Sequence, residues 1–220
     1  VQNPNRFAAI ADIHGNRWAL EAVLEDIHRR NIPQTVNLGD LLWGPLDHEG
    51  TLALLAPHNF PTIRGNQHRG LLDLPFSLEF PGILLFHGTP SHDDVYLLET
   101  VHPDGVTLAN DEEIAARLGS VPQHLLLCGH THVPRVVNTG NHLIVNPGSV
   151  GLQAYEDDTP IPHKMETGSP HARYAILERT ENSWRAEFIH LPYDHESAAQ
   201  TALRNNRPDW AHRLRTGRAR

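Results

Sequence analysis

The chain has 220 residues, 39% apolar and 20% charged, with a net charge of −8. A chain of this length buries roughly 70% of its unfolded surface without disulfide staples, and its single cysteine, Cys128, excludes an intramolecular one. The acidic balance argues against broad nucleic-acid binding through the phosphate backbone, no apolar run reaches the ~20 residues of a membrane helix, and Val1 to Ala11 carries no signal-type apolar segment. The lone cysteine points to a reducing cytoplasm.

Arg6 to Ala11 is a short apolar run that predicts a buried strand closed by Asp12. A helix is expected from Asn16 to Arg30, because Leu20, Val23, Leu24 and Ile27 share one face. Asn16 serves as its N-cap, and Pro33 stops it. Thr35 to Leu38 reads as a strand, His48 to Ala56 as a helix, and Pro61 to Ile63 as a third short strand. Gly82 to Phe86 and His124 to Cys128 are further strands, with a helix between them at Asp111 to Leu118. Two hairpins follow, Arg135–Asn138 with Leu143–Asn146 and Arg173–Thr180 with Trp184–Leu191. Helices are expected at Ser197 to Asn205 and Asp209 to Leu214, within a helical segment of about residues 195–216. Glu156 to His171 shows no period, holds three prolines, and reads as a long loop insertion. Alternating strands and helices predict an α/β sheet, and one domain spanning residues 1–220 is expected.

The informative residues follow the strands. In order they are Asp12-Ile13-His14, Gly39-Asp40, Gly65-Asn66, Phe86-His87-Gly88 and Gly129-His130-Thr131-His132. Ligands at the carboxyl ends of neighbouring strands converge on one crevice despite their distance in sequence. Carboxylates and neutral imidazoles suit first-row divalent metals such as Mn, Fe, Ni or Zn. Asp12 and His14 are two residues apart, as are His130 and His132. In extended chain such pairs point to one side, as chelation requires.

Any one of these blocks occurs by chance, but all five in order at strand ends are specific. The set resembles the calcineurin-like metallophosphoesterase superfamily over most of Phe7 to Gly151, and within it the small bacterial phosphodiesterases. The resemblance implies an αββα sandwich, with two mixed sheets face to face flanked by helices. It implies two divalent ions per chain, manganese among the candidates. One would be held by Asp12, His14, Asp40 and His132, the other by Asp40, Asn66, His87 and His130, with Asp40 bridging. The implied reaction is phosphoester hydrolysis by a metal-bridging hydroxide, with Asp40 and Asn66 in the catalytic centre.

The departures matter as well. Many members read Gly-Asn-His, where the His protonates the leaving group; here Gln67 follows Asn66, and His68 is one residue further on. His68 is therefore the candidate acid, set against a solvated loop role. Trp43 and Gln67 are candidate substrate contacts, and Arg64 is placed either to touch phosphate or to pair with a surface carboxylate. His163 and His171 could enter the pocket from the loop. Asn146-Pro147-Gly148-Ser149 resembles a segment near the site in these relatives. Cys128 reads as core packing, and Arg213, Arg215, Arg218 and Arg220 as a solvated basic tail.

The expected substrate is a small phosphate ester, nucleotides included, and a phosphodiester first. A phosphomonoesterase or dinucleoside polyphosphate hydrolase is the alternative within enzymes. A non-catalytic scaffold of the same fold, as in one retromer subunit, is the alternative outside them; the intact ligand set argues against it.

Overall fold

The computed structural model of the chain describes residues 5–68, 70 and 73–220, without the side chain of His68. Strand β1 (Arg6–Ile10) sets the architecture through its alternation. Phe7 and Ala9 face one side and Ala8 and Ile10 the other, and all four are buried. A strand buried on both faces lies between two layers. Beside it runs β2 (Thr35–Asn37), parallel, and on its other side β12 (Ala172–Arg179), antiparallel and paired in turn with β13 (Trp184–Leu191). A second mixed sheet has the order β3 (Ser77–Phe80), β4 (Ile83–Phe86), β7 (Leu125–Leu127), β9 (Leu143–Asn146) and β8 (Arg135–Asn138).

The sheets meet through one apolar layer, in which Phe7, Ala9, Val36 and Leu177 of the first contact Ile83, Leu85, Leu127 and Val145 of the second. Helix α1 (Arg17–Arg29) covers the outer face of the first sheet by packing Ala19, Leu20, Val23 and Ile27 on Ile10, Tyr174 and Ile176. Helix α3 (Asp111–Leu118) covers the second by packing Ile114 and Leu118 on Leu84, Phe86 and Leu126. This is the expected helix–sheet–sheet–helix layering. Helix α2 (His48–Leu55) packs beside α1. The last helices, α4 (His195–Arg204) and α5 (Pro208–Thr216), share a core in which Ala198, Ala202, Trp210 and Leu214 meet Leu46 and Leu152.

Two expectations need correction, and one hairpin was not among them. Pro61 to Ile63 is not a strand; only Thr62 bridges to Asn37, and Pro61 has no N–H with which to extend the ladder. The segment 156–171 is not a plain loop: β10 (Ala154–Asp157) and β11 (His163–Glu166) form a hairpin around residues 158–162. Its prolines mask it in sequence because they sit at the tip and beyond the strands. A further hairpin, β5 (Glu99–His102) with β6 (Gly105–Leu108), lies outside the expected elements: its strands are four residues each and hold apolar residues only at Val101, Val106 and Leu108.

Candidate metal centre

The loops after β1, β2, β4 and β7 are tied to one another by backbone bonds. Asp12 N–H donates to Gly39 O at 3.0 Å, His14 N–H to Asp40 O at 3.0 Å, and Gly129 N–H to His87 O at 2.8 Å. The Asn146 amide donates to Gly129 O at 2.8 Å and to Thr131 Oγ1 at 3.0 Å, while Ser149 Oγ donates to Asp12 O at 2.8 Å. The Asn146–Ser149 segment therefore clamps two ligand-bearing loops and does not itself point into the cavity.

Within those loops Asp12, His14, Asp40, His130 and His132 all have positive φ, between 51° and 71°. Among the described residues only Asn31 and Asn206 join them as non-glycines with positive φ. Left-handed backbone costs an L-residue roughly 1–2 kcal/mol, and such strain gathers at functional sites. This corrects the extended-chain argument. Asp12 and His14, and His130 and His132, converge because the chain turns sharply at each of them, not because alternate residues of a strand share a side. Gly65 is required for a related reason. A Cβ there would fall 2.0 Å from Asp40 Oδ1.

The side chains meet as two triads with ligand atoms mutually within 4.8 Å: Asp12, His14 and His132, and Asp12, Asp40 and His87. His14 Nε2 faces His132 Nε2 at 3.1 Å, and His132 Nε2 lies 3.4 Å from Asp12 Oδ1. His87 Nε2 lies 3.4 Å from Asp40 Oδ2, 3.8 Å from Asp12 Oδ1 and 3.2 Å from Asn66 Oδ1. The His130 ring lies beside that of His87, centroids 5.2 Å apart. His87 Nδ1–H donates to Leu38 O and His132 Nδ1–H to Leu152 O, each at 2.7 Å. Such bonds fix the tautomer and aim Nε2 inward, as they do in metal-ligating histidines.

The donor set fits divalent metal. Asp12 Oδ1 and His14 Nδ1 are buried and make no hydrogen bond among the described residues. A buried carboxylate oxygen left so costs at least about 1–3 kcal/mol, which a cation would offset. Burial, with His132 second, lowers the His14 imidazole to about 3, and burial, with His87 second, lowers His130 to about 4, so both are neutral donors at pH 7. Burial would also lower His87, but the Asp40 and Asp12 carboxylates and Leu38 O outweigh it and raise it to about 9. Burial would raise Asp12, yet His132 and His87 hold it below the ordinary carboxylate range.

Above the cluster lies a cavity of about 80 Å³ whose wall includes Trp43, Asn66 and Gln67 together with His14, Asp40, His130 and His132. Asn66 and His130 also border a wider cleft of about 520 Å³ under Tyr96, Val101, Asp157 and Pro160. Of the expected substrate residues, Trp43 and Gln67 thus line the site. Gln67 N–H donates to Asp40 Oδ1 at 3.1 Å from a single 3₁₀ turn, Asn66–His68. Arg64 does not line either cavity: it lies over the Phe76 ring and 3.7 Å from Asp93, a carboxylate that is buried rather than on the surface. The His68 side chain lies outside the described residues. His163 is buried and bonds to Tyr96 at 2.9 Å, so it buttresses the cleft from behind; His171 lines neither cavity. Cys128 is buried in the α3 core, where burial pushes its thiol up. Sequence reasoning missed Tyr96, Tyr155 and Arg213 at this site. The first two fall outside the recognised blocks; Arg213 stands with Trp210 at helical spacing, a signal that was available.

Residues 6–168 match the family model of the calcineurin-like phosphoesterase superfamily domain, and the chain belongs to that superfamily, the metal-dependent phosphoester hydrolases. It is 25% identical to the uncharacterized protein MJ0912 of Methanocaldococcus jannaschii, over 96% of this chain and 98% of the relative. Its fold is shared with a metallophosphoesterase from Sphaerobacter thermophilus, with TM-score 0.73 and 23% identity, covering 96% of this chain and 98% of the other. A hypothetical protein from Pyrococcus horikoshii OT3 shares it too, with TM-score 0.71 and 19% identity over the same shares.

Proposed function

We propose that the chain is a two-metal phosphodiesterase acting on small phosphate esters. The observation that carries this reading is the convergence of buried carboxylates and imidazoles at the ends of four strand-following loops. Asp12, His14, Asp40 and His132 would hold one ion, and Asp40, Asn66, His87 and His130 the other. Asp12 Oδ1 faces histidines of both groups, which supports a tightly shared cluster. Two divalent ions supply Lewis acidity and activate water at neutral pH.

The chain's own residues bind and orient the ester. The 520 Å³ cleft beside His130 and Asn66 is within the usual size of a ligand site and has room for an organic substituent. A diester, with two substituents, uses such space better than a bare phosphate. Gln67 stands where many relatives carry a protonating His, and its amide holds no titratable proton. The leaving oxygen therefore departs with little proton assistance, and esters of acidic alcohols or of phosphate should react best.

The test is a rate series on the metal-loaded protein. It runs across diesters of graded leaving-group pKa, with phosphomonoesters and dinucleoside polyphosphates in parallel. The expected result is a steep fall in rate as the leaving group becomes more basic, with diesters preferred. Monoesters turned over faster than matched diesters would replace the diesterase reading with its alternative, and a flat series with rate-limiting chemistry would reveal a proton donor standing in for the histidine that Gln67 replaces.

A further inference from the structure

Helix α5 lies outside the residues matched to the family, yet it forms part of the wall of the metal centre. Trp210 and Arg213 are one turn apart and so share a face. Trp210 is fully buried, with its ring edge-on to His14, centroids 6.2 Å apart, and tilted against Trp43 at 5.5 Å. Gly44 makes room for it; a Cβ there would meet the indole at 2.2 Å. These contacts fix α5 against the loop that follows β2. Arg213 then lines the same cavity as His14, Asp40 and His132.

The expectation that Arg213 belongs to a solvated tail is therefore wrong: it is only 7% exposed. Burying a guanidinium is expensive unless its donors are used. Here one terminal nitrogen donates to Glu156 Oε2 at 3.1 Å and lies 3.7 Å from Asp209. Its Nε–H is buried and has no acceptor among the described residues. Glu156 is shared with Lys164, 3.5 Å away, so the ion pair is not exclusive. A permanently charged, forked donor in the wall of a phosphoesterase cavity matches a phosphoryl oxygen.

We propose that Arg213 is a substrate-binding residue that grips a phosphoryl oxygen, so that α5 completes the active site. This rests on reading the Asp40 cluster as the phosphoesterase centre. Glu156 holds the guanidinium in place from β10, and Trp210 braces the helix that carries it.

The test uses the metal-loaded full chain. Arg213→Gln removes the fork, Arg213→Lys keeps the charge alone, and Glu156→Gln breaks the ion pair but keeps the guanidinium. Affinity for inorganic phosphate is read by calorimetry, alongside KM and kcat for bis(p-nitrophenyl) phosphate, metal content and melting temperature. Arg213→Gln should weaken phosphate binding and raise KM by roughly tenfold, the size of one charge-assisted contact, with metal content unchanged. Added guanidinium should restore part of the loss. Arg213→Lys should lose less than Arg213→Gln but more than the wild type, and so should Glu156→Gln. Should Arg213→Gln fail to fold, Arg213→Lys decides, and wild-type phosphate affinity in that variant overturns the proposal. If Arg213→Gln and Glu156→Gln lower the melting temperature together while phosphate affinity and KM stay at wild-type values, Arg213 is only a tie between α5 and β10. Wild-type protein that binds phosphate through Arg213 but hydrolyses no ester would remove the phosphoesterase centre and keep this site; active protein with Arg213-independent phosphate binding would do the reverse.

Discussion

Replacing Gly65 with Ala adds one methyl group at the point where the Asp40 carboxylate is held. The new Cβ would lie 2.0 Å from Asp40 Oδ1, 2.5 Å from its Cγ and 2.7 Å from its backbone N, where ordinary contact begins at 3.4 Å. The carboxylate must therefore retreat by about 1.4 Å, the gap between those two distances, if the backbone stays still. It has little freedom, because Asp40 is only 2% exposed and its Oδ1 accepts from Gln67 N–H. Gly65 has no positive φ, so the penalty is steric and not a matter of backbone preference. Misplacing a catalytic group by ~1 Å can cost about 100-fold, or roughly 2.7 kcal/mol of barrier. Overpacking adds about 1–3 kcal/mol of lost stability, which leaves a folded protein at room temperature. The assay is kcat/KM on an aryl diester, with metal content and circular dichroism measured on the same sample. The expected outcome is a folded Gly65→Ala protein with reduced metal and at least about 100-fold lower kcat/KM. A folded variant with full metal and full activity would refute the placement of Asp40 at the heart of the centre.

Other consequences lie away from Gly65. Trp210→Ala empties the fully buried core of α4 and α5 and should cost about 3–5 kcal/mol by denaturant titration; a loss below about 1 kcal/mol would mean that those helices do not depend on it. Burial would raise the Asp26 carboxyl, but bonds from Tyr174, Arg29 and Arg30 hold it below its ordinary 3.8. A lowered carboxyl stabilises fully above that ordinary value and ceases to do so as pH falls through its folded value. Asp26→Asn should therefore be less stable than wild type by about 1–3 kcal/mol at pH 7, with the difference shrinking below pH 3.8; a difference constant with pH would contradict this. Replacing the hairpin tip, residues 158–162, with a Gly-Ser linker should keep metal content and change KM or the ranking of substrates, because Thr159 and Pro160 border the wide cleft. Identical kinetics on every substrate would deprive the tip of a role in selection.

Much of this centre was legible because its ligands sit where apolar runs stop. Ala11, Leu38, Phe86 and Cys128 each close a run one or two residues before a ligand, and local hydrophobicity alone locates those strands. The contacts that complete the site depend on tertiary packing. The sequence around Arg213 shows an amphipathic helix with several arginines, but which face turns inward is decided by Trp210 filling the space over Gly44. Tyr155 was hidden likewise, since it belongs to a hairpin whose prolines look like a loop; its hydroxyl bonds His130 O at 3.0 Å and Tyr96 at 2.7 Å. Left-handed backbone at Asp12, His14, Asp40, His130 and His132 has only a weak signature in residue type, because Asp and His visit that region more than most residues but far less than glycine. Those conformations are imposed by the bonds between loops, so the extended-chain inference placed the right residues by the wrong geometry.

The most direct test counts metal. The protein is reconstituted with Mn, Fe, Ni or Zn, freed of unbound ion and assayed by plasma mass spectrometry beside Asp40→Asn and His14→Ala. Two ions sharing Asp40 predict about two per wild-type chain, loss of most of both in Asp40→Asn, and loss of mainly one in His14→Ala. A wild-type chain that saturates at one ion, or an Asp40→Asn protein that keeps the full complement, would contradict the two-metal centre.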